Sequence, residues 1–236
     1  MKQHPEAAKG QAKKTVLVVG LGRFGFALCE RLAALGQHVV AVDKVRALVE
    51  DVSDFVELSA QLDATDEDAL AKVGAKDADV AVVSIGENLE ASVLATAILR
   101  GMGVPRVVAR AQNALHARVL AKVGAHRVIF PERDMGIRVA DLFVFPWLTQ
   151  FSPLPGSEYL VGSLAPLPEM VGKSLVELDF RNRYNAVVLL INRQGSQFLP
   201  SAATIIEVED VLLIAARQKD VEPWANRLYE EGGDEA

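Results

Sequence analysis

The stretch VLVVGLGRFGFALCERL, from Val16 to Leu32, joins a β-branched run to a helical pattern through Gly20-Leu21-Gly22-Arg23-Phe24-Gly25. No other feature of the chain restricts its fold as strongly. A strand that enters a helix through glycines at this spacing must turn tightly, and a parallel βαβ unit is the arrangement that uses such a turn. Gly20 suits the tight turn, Gly22 lets the backbone come close to a phosphate, and Gly25 permits close packing of helix against strand. The helix N-terminus behind the turn supplies amide donors and the positive end of a dipole. Asp43 closes the next apolar run, where a carboxylate accepts hydrogen bonds from ribose hydroxyls and disfavours a 2′-phosphate; Lys44 beside it would tolerate one.

The same rhythm continues to about residue 130. Strands are predicted over Thr15–Gly20, His38–Asp43, Phe55–Leu58, Val80–Ile85, Arg106–Arg110 and Arg127–Phe130, each followed by apolar residues at helical spacing. Their cores, such as VVAV and VAVVSI, are apolar throughout, as in strands covered on both faces. This pattern predicts an α/β fold, a Rossmann doubly wound parallel sheet. Ligands of such sheets bind at the carboxyl edge, which singles out Asp63-Ala64-Thr65, the loop with Ile85 and Gly86, Arg110 and Glu132. Thr65 or Asp66 is expected to cap the helix beginning EDALAKV, and Asp63 stands where it would meet an adenine amino group. Arg23 and Arg110 suit terminal phosphates, because a guanidinium fork matches phosphate oxygens, and Glu132 would help hold a divalent cation beside them.

Beyond Met135-Gly136 the texture changes. A helical stretch, IRVADLFVFPWL, is broken by Pro146 and SPLPGSE, and a β-rich pattern with a turn at Gln194-Gly195 and a helix around Ser174–Phe180 follows. The expected organisation is a flexible tail over 1–13, a nucleotide-binding domain over 14–148, a linker over 149–158, a small α+β C-terminal lobe over 159–220 and a tail over 221–236. The net charge of −6 argues against a sequence-independent nucleic-acid binder. A single cysteine, Cys29, excludes an intramolecular disulfide and reads as a buried thiol in a cytoplasmic protein. No run reaches the length of a membrane span and no signal peptide opens the chain. A dehydrogenase would need a general acid or base in its second domain, and that segment has no histidine; no helix-turn-helix supports a transcription repressor.

GLGRFG, LDATDEDAL, VSIGENLEASVLAT and VARAQNALHARVLAKVGAHRVIFPERDMG, followed by the small β-rich lobe, resemble the regulatory subunits of Trk/Ktr potassium uptake systems. Those subunits carry an RCK domain (regulator of potassium conductance), and the resemblance covers about residues 14–220. It implies a nucleotide site for ATP or ADP, or in some relatives NAD(H). It also implies dimers assembling into an octameric ring beneath a membrane-embedded potassium translocating subunit of the TrkH/KtrB type, on its cytoplasmic side. Carried over residue by residue, Gly20, Leu21, Gly22, Arg23, Phe24 and Gly25 serve the phosphates, Asp43 the ribose, and Asp63, Ala64 and Thr65 the adenine side. Arg110 matches a basic position near the phosphates. Glu132 matches a glutamate that reaches the nucleotide across a dimer and takes part in binding Mg2+ or another cation. Ile137–Leu148 corresponds to a crossover helix. The C-terminal lobe in some relatives binds cyclic di-AMP, and the matching positions are Arg181, Arg183, Asn185 and Ala186, with Pro200 and Ile205. One departure is Leu62, where the family often has glycine.

Overall fold

The computed structural model describes residues 13–231. Most of the expected N-terminal tail and the last five residues of the acidic C-terminus lie outside that range. The chain divides into two compact units between Asp134 and Met135.

In the first unit, Thr15–Val19 (β1) is covered on both sides. Leu17 and Val19 belong to one apolar cluster and Val16 and Val18 to another, as period-two alternation requires of a strand sandwiched between helix layers. The following elements alternate: Arg23–Ala34 (α1), His38–Asp43 (β2), Arg46–Val52 (α2), Leu58–Gln61 (β3), Glu67–Lys72 (α3), Val80–Val83 (β4), Leu89–Gly101 (α4), Val107–Arg110 (β5), Ala114–Lys122 (α5) and Arg127–Ile129 (β6); Pro131–Val144 (α6) begins in this unit and continues past its boundary. Cys29, Val49 and Val52 of α1 and α2 fill one face, and Leu70, Leu99 and Leu120 of α3, α4 and α5 fill the other. Each buried aliphatic side chain of this kind contributes about 1.5–3 kcal/mol.

The six strands are parallel in the order β3-β2-β1-β4-β5-β6, the Rossmann order. Val19 pairs with Val42 on one side and with Val83 on the other. Gly20 and Ser84 therefore leave the sheet together, level with Asp43 at the end of β2, at the point where the strand order reverses.

The third strand is found later than the sequence pattern suggests. Phe55 packs edge-on against Phe26, with ring centroids 5.6 Å apart, so Phe55 and Val56 serve the core beneath α1 and pairing begins at Leu58, opposite Val40.

The second unit continues with a 3-10 turn over Pro146–Gln150, then Phe151–Pro153 (β7), Tyr159–Leu164 (β8), Phe180–Tyr184 (α7), Ala186–Arg193 (β9), Ser196–Phe198 (β10), Asp210–Arg217 (β11) and Gln218–Glu231 (α8). The sheet is antiparallel in the order β10-β9-β11-β8-β7. Gln194 and Gly195 both take positive φ, 50° and 86°, the turn whose twist matches a two-residue hairpin. Trp147, Met170, Ile191, Ile206, Leu212 and Ile214 are fully buried in its core.

Three expectations for this unit are corrected. The segment 149–158 is not simply a linker, because Phe151 enters the core beside Trp147 and β7 pairs with β8. The chain from 221 is not simply a tail, because Val221, Trp224 and Ala225 recur at helical spacing and α8 buries them. A helix over Ser174–Phe180 does not develop. Ser174 and Glu177 form a reciprocal cap around one turn, and Asp179 in the left-handed conformation (φ 44°) ends it before α7 starts. Among the described residues no helix is long and apolar enough to cross a membrane.

Candidate functional site

The three fingerprint glycines are required for three different reasons. Gly20 has φ 93°, and a Cβ there would lie 3.0 Å from the Ile85 amide nitrogen and 3.1 Å from the Ser84 hydroxyl. At Gly25 a Cβ would overlap the Gly20 carbonyl oxygen and stand 2.8 Å from Ser84 Oγ, so the helix can lie this close to the strand only without a side chain. Gly22 differs from both. Its φ of −61° suits any residue, and nothing lies within 4 Å of a Cβ placed there. No contact within the chain demands glycine at 22, and its backbone stands open to an approaching group.

The amides behind Gly22 are arranged for an anion. Asp66, Asn88 and Asn113 cap α3, α4 and α5 by accepting from the amides of Ala69, Ala91 and His116. Helix α1 has no such side-chain cap and no acid in its first turn, and its first i to i−4 bond runs from Phe26 N to Gly22 O. The amides of Arg23, Phe24 and Gly25 are thus left without intrahelical acceptors at the positive end of a twelve-residue helix. The Arg23 side chain is exposed at the first helical position, whereas Phe24 packs into the core beneath α1.

Asp43 ties this loop to the second strand. Its Oδ2 accepts from Leu21 N at 2.7 Å and its Oδ1 from Val45 N at 2.8 Å. Each carboxylate oxygen has a second lone pair, so Asp43 retains capacity for hydroxyl donors. On the expected adenine side, Asp63 Oδ1 accepts from the amide and the hydroxyl of Thr65, at 2.9 and 2.7 Å, and these bonds hold its carboxyl below the usual aspartate range. Ala64 is buried, Lys44 is exposed, and Asp66 rather than Thr65 is the helix cap.

Arg110 and Glu132 form an ion pair within the unit. Arg110 Nη2 lies 2.5 Å from Glu132 Oε1, and Nη1 donates to the Ser84 carbonyl at 3.4 Å. Gly86 makes room for this guanidinium, since a Cβ there would stand 2.9 Å from Arg110 Cζ. Glu132 does not belong to a ready metal site: among the described residues no group of three or more His, Cys, Asp or Glu could hold an ion.

Ser84 is a contributor that sequence reasoning left unassigned. Its buried hydroxyl donates to the carbonyls of Gly20 and Val19, the latter at 3.2 Å, and it buttresses the turn from the neighbouring strand. A serine closing an otherwise apolar buried strand was the available signal. The described histidines stand elsewhere: His38 pairs with Glu57, His126 Nδ1 accepts from Val107 N, and His116 is buried, which pushes its pKa down. Cys29 is fully buried, and burial pushes its thiol up to about 12.

The positions matched to cyclic di-AMP fall on several parts of the second unit. Arg183 and Asn185 line a cavity of about 300 Å3, whose lining does not include Arg181. Ala186 is buried at the start of β9, Pro200 follows β10, and Ile205 bridges to Ser174.

An open parallel sheet in this order, with an uncapped glycine turn at its switch point and an acid closing the second strand, defines a Rossmann domain of the nucleotide-binding type, joined here to a small antiparallel lobe. Residues 16–131 match the TrkA-N domain and residues 163–224 the TrkA-C domain. The chain is 33% identical over 214 residues to the Ktr system potassium uptake protein A of Bacillus subtilis (strain 168), covering 90% of this chain and 96% of that protein. It is 34% identical over 221 residues to the Ktr system potassium uptake protein A of Vibrio alginolyticus, covering 91% and 96%. The chain belongs to this family of TrkA-N/TrkA-C potassium uptake proteins. Among solved structures, the GsuK channel shares the fold with a TM-score of 0.56 at 16% identity, over 93% of this chain but 40% of the channel chain. The TrkA-N domain of the inner membrane protein ybaL from Escherichia coli matches 56% of this chain and 97% of its own, with a TM-score of 0.51 at 22% identity.

Proposed function

We propose that this chain is a non-enzymatic, cytoplasmic regulatory subunit that senses ATP and ADP and thereby gates a membrane-embedded potassium translocator. The observation that carries this reading is the convergence, at one switch point, of the uncapped α1 amides, the open face of Gly22, Asp43 and Arg110. The potassium uptake named in the relatives supplies the physiological setting. Self-association is supported by α6, which buries none of its residues and leaves Ile137, Phe143 and Val144 exposed.

A ligand shifts a conformational equilibrium only by its differential affinity for the two states. Here the lever is the Arg110–Glu132 pair. A phosphate that takes the Arg110 guanidinium displaces Glu132, which sits in the first turn of α6, and so alters the start of that helix. A third phosphate adds Arg23 to the contacts, and this makes ATP and ADP distinguishable.

NAD(H) is the alternative ligand, as the GsuK channel has been determined bound to NAD, with a TM-score of 0.54 at 16% identity. Isothermal titration with ATP, ADP and NADH decides between them. The expected result is that Arg23→Ala weakens ATP more than ADP. An unchanged ATP-to-ADP ratio in that variant, or NADH binding more tightly than either, overturns the reading.

A further inference from the structure

We infer that the two helix-to-strand turns at the amino-terminal edge of β5 and β6 form a basic docking surface for anionic phospholipid headgroups. This inference rests on the reading that the chain works beside a membrane, but it involves neither the nucleotide crevice nor the translocator.

Charge is segregated along the chain. Between Glu90 and Glu132 it carries Arg100, Arg106, Arg110, Arg118, Lys122 and Arg127 and no Asp or Glu, within a protein of net charge −6. Arg110 is held by Glu132 at the opposite, carboxyl edge. Of the others, Arg100, Arg106, Lys122 and Arg127 flank two turns of the same construction. In each, a cation stands in the last turn of the helix, a glycine of positive φ follows (Gly103 at 86°, Gly124 at 104°), and an arginine stands at the start of the strand. The amide after each glycine reaches back into the helix, Val104 N to Leu99 O and Ala125 N to Leu120 O.

Because β5 and β6 are neighbours, the two turns lie side by side. Val108 pairs with Arg127, and the Arg106 carbonyl accepts from Ala81 N at 2.8 Å, so both arginines fall on the same side of the sheet, one strand apart. Arg100 lies between the turns: its Nη1 donates to the Val104 carbonyl at 3.3 Å, and its Nε stands 3.1 Å from where a Cβ on Gly124 would be. His126 Nδ1 accepts from Val107 N at 2.8 Å and joins one turn to the other.

The negative end of a helix dipole accounts for the cations in the last turns, Arg100 and Lys122. It does not account for Arg106 and Arg127, which lie beyond the helices. Among the described residues none of the four is in an ion pair. The related turn from α3 into β4 is balanced: Lys72 and Lys76 flank Gly74, but Asp77 and Asp79 follow, and Asp79 takes the Thr15 amide at 2.8 Å. Arg106, Lys122 and Arg127 are exposed, and no Phe, Tyr or Trp stands in either turn. Unpaired bases would therefore find no stacking platform, and a chain of net negative charge is poorly suited to a duplex. A lipid surface asks only for several cations presented together.

The test is flotation of the full-length, nucleotide-free protein with vesicles of phosphatidylglycerol and phosphatidylcholine in equal parts, compared with phosphatidylcholine alone, in about 50 mM KCl. Each cation near an anionic surface contributes about fivefold to partition, so the four should give half-binding at about 1 mM accessible lipid, with no flotation on neutral vesicles. Arg106→Ala with Lys122→Ala and Arg127→Ala should weaken flotation about a hundredfold without moving the melting temperature, since all three side chains are exposed. Lys173→Ala, which removes an exposed cation of the second unit, should leave flotation unchanged. Raising KCl to about 500 mM should weaken binding at least about tenfold by screening. No flotation at about 5 mM lipid, equal flotation on neutral vesicles, or a triple variant that floats as the parent does overturns the inference. So does displacement by about 5 mM inorganic phosphate, which marks an ion site in place of a surface, or an RNA or DNA duplex that binds more tightly than the vesicles. The vesicles hold no translocator and the protein no nucleotide, so a chain that floats but binds neither ATP nor ADP would overturn the proposed gating and keep the surface.

Discussion

Gly22→Ala and Gly25→Ala are the same chemical change three residues apart, and the structure assigns them opposite consequences. At Gly25 the new methyl overlaps the Gly20 carbonyl, a backbone atom fixed by β1, and crowds the buried Ser84 hydroxyl. Overpacking costs about 1–3 kcal/mol, and an immovable backbone neighbour puts this case at the upper end. For a chain of this size, that lowers the melting temperature by about 4–12 °C. At Gly22 the methyl enters open space at a φ that alanine adopts freely. The poorer N-cap quality of alanine and its lower unfolded-state entropy nearly cancel, so stability should stay within about 0.5 kcal/mol and the melting temperature within about 2 °C. The methyl nevertheless occupies the approach to the α1 amides. Losing one charge-assisted hydrogen bond there removes about 1.5–3 kcal/mol, or about a ten- to hundredfold loss in ADP affinity. Thermal unfolding of both variants with and without ADP, together with calorimetric titration, reads both quantities. A Gly22→Ala protein that binds ADP as the parent does would refute the assignment of the turn. A Gly25→Ala protein that melts at the parent temperature would refute the packing argument.

Two further outcomes follow from named contacts. Asp210 is 1% exposed and is held bidentately by Arg193, at 2.7 and 2.9 Å; Arg193→Met strands a buried charge and should cost about 3–5 kcal/mol in denaturant unfolding. Burial alone would raise the Asp210 carboxyl, but the Arg193 guanidinium and the Glu207 amide outweigh it and set the folded pKa below the ordinary 3.8. A lowered folded pKa means that the stabilisation is complete above 3.8 and is lost as pH falls through the lower folded value, so Asp210→Asn should flatten the acid limb of a stability-against-pH curve. On α6, Phe143 is 83% exposed, and Phe143→Ser should change monomer stability by less than about 0.5 kcal/mol while weakening self-association in sedimentation velocity; unchanged sedimentation would mean that this face is not an interface.

What was legible in the sequence depended on whether the physics was local. The parallel sheet could be read because strands covered on both faces must be apolar at every position, and β1, β2 and β4 show such runs. Asp43 could be read because its role follows from its place at the end of the second strand. Which residues of that edge touch one another could not. Arg110 and Glu132 could be placed at the same edge, but their ion pair with each other follows only from the parallel pairing of β5 with β6. The second unit was harder because its signals are sparse. The buried positions of α8 are scattered among charged residues, and α7 is bracketed by Asp179 and Asn185 in left-handed conformations that no periodicity announces.

The glycine motif lies between these cases. Its spacing identified the turn, but spacing cannot separate a glycine that the chain needs from one that a ligand needs. The packing around Gly25 and the empty space around Gly22 make that separation. A residue whose smallness relieves no contact within its own chain is the kind of position that a turn shaped around a ligand would carry, and the uncapped amides beside Gly22 favour a negatively charged one.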